Sequence, residues 1–431
     1  MKPKDLEVPS LGKCAVDSPL KLSSYTDDGE RVLIDISLDA FHKWRGKKID
    51  PPSFEAAGPR AKIYFDPAAT KSGIVSCGGL CPGINDVIRG LTMELYHRYH
   101  ARNILGFRYG YEGLSPRCGH EPLELTPDMV QGIHEQGGTM LGSSRGPQDI
   151  AEMVDTLVRL NISILFCIGG DGTLRGAQQI FREITHRNLK ISVVGIPKTI
   201  DNDIMWIEKS FGYETAFSAA VQALRSAHVE AEGAYNGIGL VKLMGRQSGF
   251  ITAGAALANS DANFVLIPEV PFPLEGPGGL FDSLRARLER RHHAVILVAE
   301  GAGQELLRKE AADPGADASG NVRLMDIGSF LRDRISAYFK SMNMEITIKY
   351  IDPSYMIRSV PSNPSDSIYC SQLARNAVHA AMSGKTGIVV GRWKKVFTHV
   401  PIPLVTAGRS RIDPNEHLWR DVIESTGQPN W

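Results

Sequence analysis

Two apolar runs set the pattern of this chain, Leu165-Phe166-Cys167-Ile168 and Ile191-Ser192-Val193-Val194-Gly195-Ile196. Neither alternates strictly between apolar and polar positions, so each predicts a strand buried on both faces, as in parallel sheets. Similar runs occur at Gly73-Ile74-Val75-Ser76, Asn103-Ile104-Leu105-Gly106-Phe107, Gly239-Leu240-Val241-Lys242-Leu243, Phe264-Val265-Leu266-Ile267 and Ala294-Val295-Ile296-Leu297-Val298-Ala299. Each precedes a turn or a polar residue. Helical stretches lie between them, among them Asn85 to Leu91 and Glu214 to Leu224, the latter with Ala and Val faces suited to packing. Strands alternating with helices predict an α/β fold with mainly parallel sheets flanked by helices.

The chain has 431 residues, more than one hydrophobic core usually supports, so two lobes are expected, with the site between them. Residues 1–70 mix Pro, charges and short alternating segments such as Val32-Leu33-Ile34-Asp35-Ile36-Ser37, and read as an N-terminal extension with a little sheet. The stretch from Ala311 to Gly320 is rich in small and turn-forming residues and reads as a mobile surface loop.

Charge narrows the choice of partners. Lys plus Arg and Asp plus Glu both number 48, so no polyanion-binding surface is implied and nucleic acid is not an expected partner. The six cysteines are sparse and lack a zinc-like double pair, which fits a reducing cytoplasm. The amino terminus has no apolar core of a signal peptide, and no stretch approaches the roughly 18 apolar residues of a spanning helix, so no membrane partner is expected.

The chemistry concentrates where the two leading strands end. Gly169-Gly170-Asp171-Gly172-Thr173 follows the first, and its glycines let backbone N–H groups approach a polyphosphate. Pro197-Lys198-Thr199-Ile200-Asp201-Asn202-Asp203 follows the second and brings two carboxylates to a strand end, where ligands bind in open α/β sheets. Gly78-Gly79-Leu80-Cys81-Pro82-Gly83 alone would be a tight strand-to-helix turn, but Gly142-Ser143-Ser144-Arg145-Gly146 adds small residues and a guanidinium, and three such turns suggest one nucleotide site. A carboxylate inside a phosphate cradle repels its ligand unless Mg²⁺ stands between them, so Asp171 reads as a metal ligand; the alternative is an aspartate capping the next helix. Asp201 by itself reads as an N-cap or turn aspartate, and Asp203 repeats the carboxylate two positions on, where it could share its side if the segment is extended. Arg290-Arg291-His292-His293 reads as a solvated helix end, and His228 is likewise given no ligand role.

Taken in order, Gly78-Gly79 with Pro82-Gly83, Gly169 to Thr173, Pro197 to Asp203, Met244-Gly245-Arg246 and Pro353-Ser354-Tyr355-Met356-Ile357-Arg358 resemble the motif set of the 6-phosphofructokinases, from about Ser72 to at least Arg358. The resemblance implies two Rossmann-like lobes, an ATP-binding one over 71–212 plus 353–431 and a sugar-phosphate one over 213–352, crossed twice by the chain. It implies transfer of a phosphoryl group from MgATP to the 1-hydroxyl of fructose 6-phosphate, as in glycolysis. By the same resemblance Gly78, Arg145, Gly146, Gly170, Asp171, Gly172 and Thr173 contact the nucleotide, and Asp201 is the base, with Asp203, Arg246 and Lys198 assisting. Thr199, Ile200, Asp201, Met244, Gly245, Arg246, Glu300, Lys349, Tyr355 and Arg358 contact the sugar phosphate, Lys349 from a neighbouring subunit. An arginine fork suits a phosphoryl group. The resemblance also implies a homodimer or homotetramer and allosteric control. One departure stands out: the second subunit-crossing arginine of the short bacterial enzymes would fall near Gly237 and is missing.

The family uses ATP or pyrophosphate, and two positions bear on the choice. Pyrophosphate enzymes carry an aspartate after the position of Asp171, filling the space and charge of the α-phosphate; Gly172 leaves that space to ATP. Lys198 pulls the other way, since pyrophosphate enzymes carry lysine there, but a lysine near phosphates can serve either donor. A longer ATP-using branch resembles this combination, and ATP is the expected donor. Two other readings compete: a pyrophosphate-dependent transferase, and a non-catalytic regulatory subunit, which usually loses base or clamp residues that are present here. A lipid or NAD kinase would leave Met244 to Arg246 and Tyr355 to Arg358 unexplained.

Overall fold

The computed structural model describes residues 3–47, 50–308, 315 and 322–431. The stretch from Ala311 to Gly320 lies outside them except for Gly315. Two compact units emerge. The first comprises Met1–Thr199, Ile204–Gly212 and Val360–Arg409; the second comprises Ile200–Asp203, Tyr213–Ser359 and Ser410–Trp431.

Among the described residues the first unit holds a nine-stranded sheet, in spatial order Arg31–Leu33, Ser53–Ala56, Val396–Pro401, Ile388–Trp393, Ser192–Pro197, Ile164–Gly169, Lys71–Ser76, Asn103–Phe107 and Leu123–Glu124. The five strands from Ile388–Trp393 to Asn103–Phe107 run parallel, and the outer ones pair antiparallel at both margins. Ile164–Gly169 and Ser192–Pro197 are buried at every position, as their unbroken apolar runs predict. Helix Asp171–His186 follows the first of these directly, with Leu174, Ala177, Ile180 and Ile184 turned into the core. The N-terminal residues give two strands to this sheet and so extend its margin.

Among the described residues the second unit carries four strands, all parallel, in the order Phe264–Leu266, His293–Ala299, Gly237–Leu243 and Thr347–Ile351. Helix Tyr213–Glu232 lies against it, close enough that a Cβ on Gly239 would come within 2.6 Å of the Ala227 carbonyl oxygen. On the strand Thr347–Ile351, Tyr350 faces helix Ile327–Ser341 while Lys349, one residue earlier, reaches Glu230 on the other side.

These units depart from the expected boundaries. Ile200–Asp203 groups with the second unit, because the Asp203 carbonyl accepts the Ser410 N–H at 2.8 Å and the Asp201 carbonyl accepts the Ser248 hydroxyl at 3.0 Å. Residues 410–431 join it too: Gln428 bonds both backbone groups of Val265, and Trp431 packs on Phe272. The chain therefore passes between units five times where two crossings are expected, since a short polar segment follows its hydrogen bonds and not its place in sequence.

Candidate active site

In the first unit the candidate residues gather at strand carboxyl ends. Gly170 is extended and caps helix Asp171–His186, so Asp171, Gly172 and Thr173 form its first turn, where unsatisfied N–H groups and the helix dipole favour an anion. The two glycines flanking this start differ in kind. A Cβ on Gly169 would fall within 2.2–2.5 Å of the Thr173 side chain, so close approach demands glycine there. A Cβ on Gly172 would meet no heavy atom within 4 Å, and its φ is not left-handed, so folding does not require glycine at that position.

Asp171 is not the helix cap. Its Oδ2 receives Arg175 at 3.0 Å, one turn along the same helix, and Arg409 at 3.5 Å. The Lys198 N–H donates to the Gly169 carbonyl at 3.0 Å, and its buried ammonium donates to the Gly79 carbonyl, tying the two glycine turns together. Gly78 is fixed by the third turn: its N–H donates to the Ser144 carbonyl at 3.2 Å and its carbonyl accepts the Ser143 hydroxyl at 2.5 Å. Arg145 and Gly146 follow in that turn, with Arg145 exposed. The Thr199 carbonyl accepts the Ser210 hydroxyl at 2.6 Å.

In the second unit the site is built from side-chain charge. Strands Gly237–Leu243 and His293–Ala299 end level, Leu243 opposite Ala299, and their turns interlock: Glu300 N–H donates to Leu243 at 2.8 Å and Gly301 N–H to Gly245 at 3.0 Å. Gly245 has φ +128°, and a Cβ there would lie 2.5 Å from the Ser248 carbonyl, so Met244 and Arg246 flank an obligatory glycine. Burial raises the pKa of Glu300, opposed by the cations of Arg246 and Lys242. Arg246 donates to the Val322 carbonyl at 2.5 Å.

Lys242 pairs with Asp352 at 2.9 Å and Asp326 at 3.0 Å. Burial pulls its pKa down, but the hydrogen bonds to Asp352 and Asp326 carry it above the ordinary lysine value. Burial raises Asp352, and the bonds from Ser354 and Lys242 more than reverse that. Tyr355 and Arg358 lie on the short helix Ser354–Arg358, which Asp352 starts by accepting the Ser354 N–H; the Arg358 guanidinium stacks 4.7 Å from the Tyr355 ring centre. Sequence reasoning missed Arg175, although i+4 spacing signals it, and missed Arg409, Lys242, Asp326 and Asp352, which only tertiary pairing reveals.

One expectation changes. The segment after Thr199 is a turn, not an extended run: Asn202 has φ +53°, so strand alternation does not relate Asp201 to Asp203, and Asp203 is 3% exposed while Asp201 is half-buried. Lys349 sits opposite Gly239, four residues before the strand-end turn, about 13 Å short of it at 3.3 Å per residue, and pairs with Glu230 at 3.3 Å. Within one chain it is not brought to Met244 and Glu300.

In mainly parallel α/β sheets, a glycine-capped helix start at a strand's carboxyl end is where nucleotides and phosphates bind in many proteins. The family model for phosphofructokinases matches residues 71–381, and the chain belongs to that family. Relatives named ATP-dependent 6-phosphofructokinase include those of Borreliella burgdorferi, 49% identical over 99% of this chain and 97% of its own length, and Amycolatopsis methanolica, 48% identical over 99% and 95%. The Entamoeba histolytica protein of the same name is 45% identical over 96% of this chain and 93% of its own. Among solved structures, the pyrophosphate-dependent phosphofructokinase from Marinobacter aquaeolei aligns with a TM-score of 0.65 at 17% identity, covering 83% of this chain and 91% of that one, a likeness of fold alone.

Proposed function

We propose that this chain is an ATP-dependent 6-phosphofructokinase, transferring the γ-phosphoryl group of ATP to the 1-hydroxyl of fructose 6-phosphate. The observation that carries the choice of donor is Gly172: the fold has room for a side chain there and none is present, beside an N-terminal helix turn suited to phosphate. The names of relatives at 45–49% identity support the same choice.

Gly78, Arg145, Gly146, Gly170, Gly172 and Thr173 receive the nucleotide phosphates in this reading, and Lys198 places its cation beside them. Asp201 accepts the hydroxyl proton, with Asp203 in support. Thr199, Ile200, Met244, Gly245, Arg246, Glu300, Tyr355 and Arg358 hold the sugar phosphate, with positioning and charge as the main catalytic effects. Lys242, paired to Asp326 and Asp352, positions the segment leading to Tyr355 and Arg358.

The residues also fit Mg²⁺. Asp171 offers one hard carboxylate at a helix start, whose Oδ2 the ion would share with Arg175 and Arg409, and this suits an ion held mostly by phosphate oxygens and water. The ion would supply charge neutralisation of the phosphates. Lys349, short of the strand ends in its own chain, serves a neighbour's site in a dimer or tetramer of like chains. A cytoplasmic location belongs to the same reading; among the described residues no helix is long and apolar enough to cross a membrane.

The test is a coupled assay with fructose 6-phosphate and Mg²⁺, offering ATP and pyrophosphate in parallel. Turnover with ATP alone is the expected result. Turnover with pyrophosphate alone would defeat the argument from Gly172, and binding of sugar phosphate without turnover would indicate a regulatory subunit.

A further inference from the structure

At the amino-terminal edge of the second unit's sheet, three side chains from two elements converge. His228 and Glu232 stand one turn apart at the end of helix Tyr213–Glu232, and His293 opens the strand His293–Ala299. One ligand atom from each falls within 4.8 Å of the others. His228 Nε2 lies 3.3 Å from Glu232 Oε1, and His293 Nε2 lies 3.9 Å from the same oxygen. The imidazole rings stack at 5.3 Å, 20° from parallel. This edge is separated from Glu300 by the whole seven-residue strand, about 20 Å at 3.3 Å per residue.

The other nitrogen of each ring is engaged by an acceptor. His228 Nδ1 lies 3.2 Å from Asp261 Oδ2, and His293 Nδ1 lies 3.1 Å from the Arg291 carbonyl oxygen. Both acceptors call for a proton on Nδ1, which leaves the two Nε2 atoms, 3.3 Å and 3.9 Å from Glu232 Oε1, as acceptors in the neutral rings. Three acceptor atoms this close repel unless a metal cation, or a proton on one imidazole, joins them. Asp261 behind His228 reproduces the carboxylate–histidine arrangement that orients metal-bound imidazoles. Tetrahedral bonds of about 2.0–2.1 Å place neighbouring ligand atoms roughly 3.3 Å apart, so the Glu232–His228 pair already has that spacing and His293 must close by about half an ångström. The carboxyl end of the helix adds negative potential.

We propose that His228, Glu232 and His293 form a binding site for a divalent transition metal of the zinc class, with Asp261 orienting His228. Two imidazoles and a carboxylate suit Zn²⁺, Cu²⁺ or Ni²⁺ better than Mg²⁺. The Glu232 side chain is 56% exposed, so a fourth coordination position faces solvent. Bound metal would pin the end of the helix to the start of the strand.

The test is calorimetric titration of the chelator-stripped full chain with Zn²⁺, with thermal melting and Co²⁺ absorption as further readouts. The expected result is one metal per chain, a raised Tm, and visible Co²⁺ bands of nitrogen and oxygen ligation. His228→Ala and His293→Ala should each weaken binding at least about tenfold, and Asp261→Asn by about 10–100-fold through loss of the outer partner. The Tm of each variant without metal shows that it folds. Absence of Zn²⁺ binding to the parent chain, or unchanged stoichiometry and affinity in the double His228→Ala, His293→Ala variant, would overturn the proposal.

Discussion

The ligand edges of the two units are built from different materials. In the first, the candidate groups are mainly backbone: the opening turn of helix Asp171–His186 and the Gly78 and Gly142–Gly146 turns pinned by Ser143, Ser144 and Lys198. In the second they are side-chain charges: Glu300 with Arg246, then Lys242 between Asp326 and Asp352, leading to Arg358. A backbone cradle is specified by where side chains are missing, so it tolerates little added bulk. A charge network is specified by partners, so it fails when one charge is removed. The proposed base lies in the polar segment between them in sequence, Thr199 to Asp203.

That assignment faces the largest test. Asp201→Asn should lower kcat by about 10²–10⁴, the usual contribution of a general base, with KM for fructose 6-phosphate nearly unchanged. A kcat within a few-fold of the parent would remove Asp201 from the reaction. Gly172→Asp comes next: it should fold normally, because the added Cβ meets nothing within 4 Å and a carboxylate suits a helix start, while kcat/KM for ATP falls about 100-fold from charge repulsion with the bound phosphates. Unchanged ATP kinetics in this variant would break the contrast between backbone and side-chain recognition.

Stability separates the two kinds of glycine. Gly169→Ala should cost about 1–3 kcal/mol, because its Cβ collides with Thr173, whereas Gly172→Ala should change stability by less than about 0.5 kcal/mol. Chemical denaturation of both variants checks the difference; equal losses would mean that Gly172 is structural too.

The last expected effect concerns acid. His379 in the first unit is buried, its Nδ1 2.9 Å from the Tyr99 hydroxyl, and burial lowers its pKa to about 3, assisted by Arg375 and Arg60. Between pH 6.5 and about 3 the unfolded chain binds a proton there that the folded chain refuses. Stability therefore falls as pH falls through that window, by about 1.4 kcal/mol per pH unit. Melting curves of His379→Gln across it should show a shallower acid slope than the parent; an identical slope would assign acid sensitivity elsewhere.

Much of this was legible in sequence because it depends on local pattern. Unbroken apolar runs can satisfy burial on both faces only as interior strands, so the two leading strands and the glycine turns after them follow from composition and order. The resemblance of five spaced motifs reaches the phosphofructokinase family for the same reason. Local pattern misled at Asn202, where one left-handed residue turns an expected extension into a turn, and at residues 410–431, whose contacts fall on the second unit.

The sequence by itself determined which strand ends would carry chemistry and that Gly172 would be free of a side chain. Only tertiary structure decided that folding does not need that glycine, that Arg409 reaches Asp171 across 238 positions, and that Lys349 stops short of its own chain's strand ends. It also turned His228 and His293, each unremarkable alone, into facing imidazoles. The physical reason is range: backbone conformation and burial are set by near neighbours along the chain, whereas ion pairs and ligand sets require side chains that register and packing bring together from distant positions.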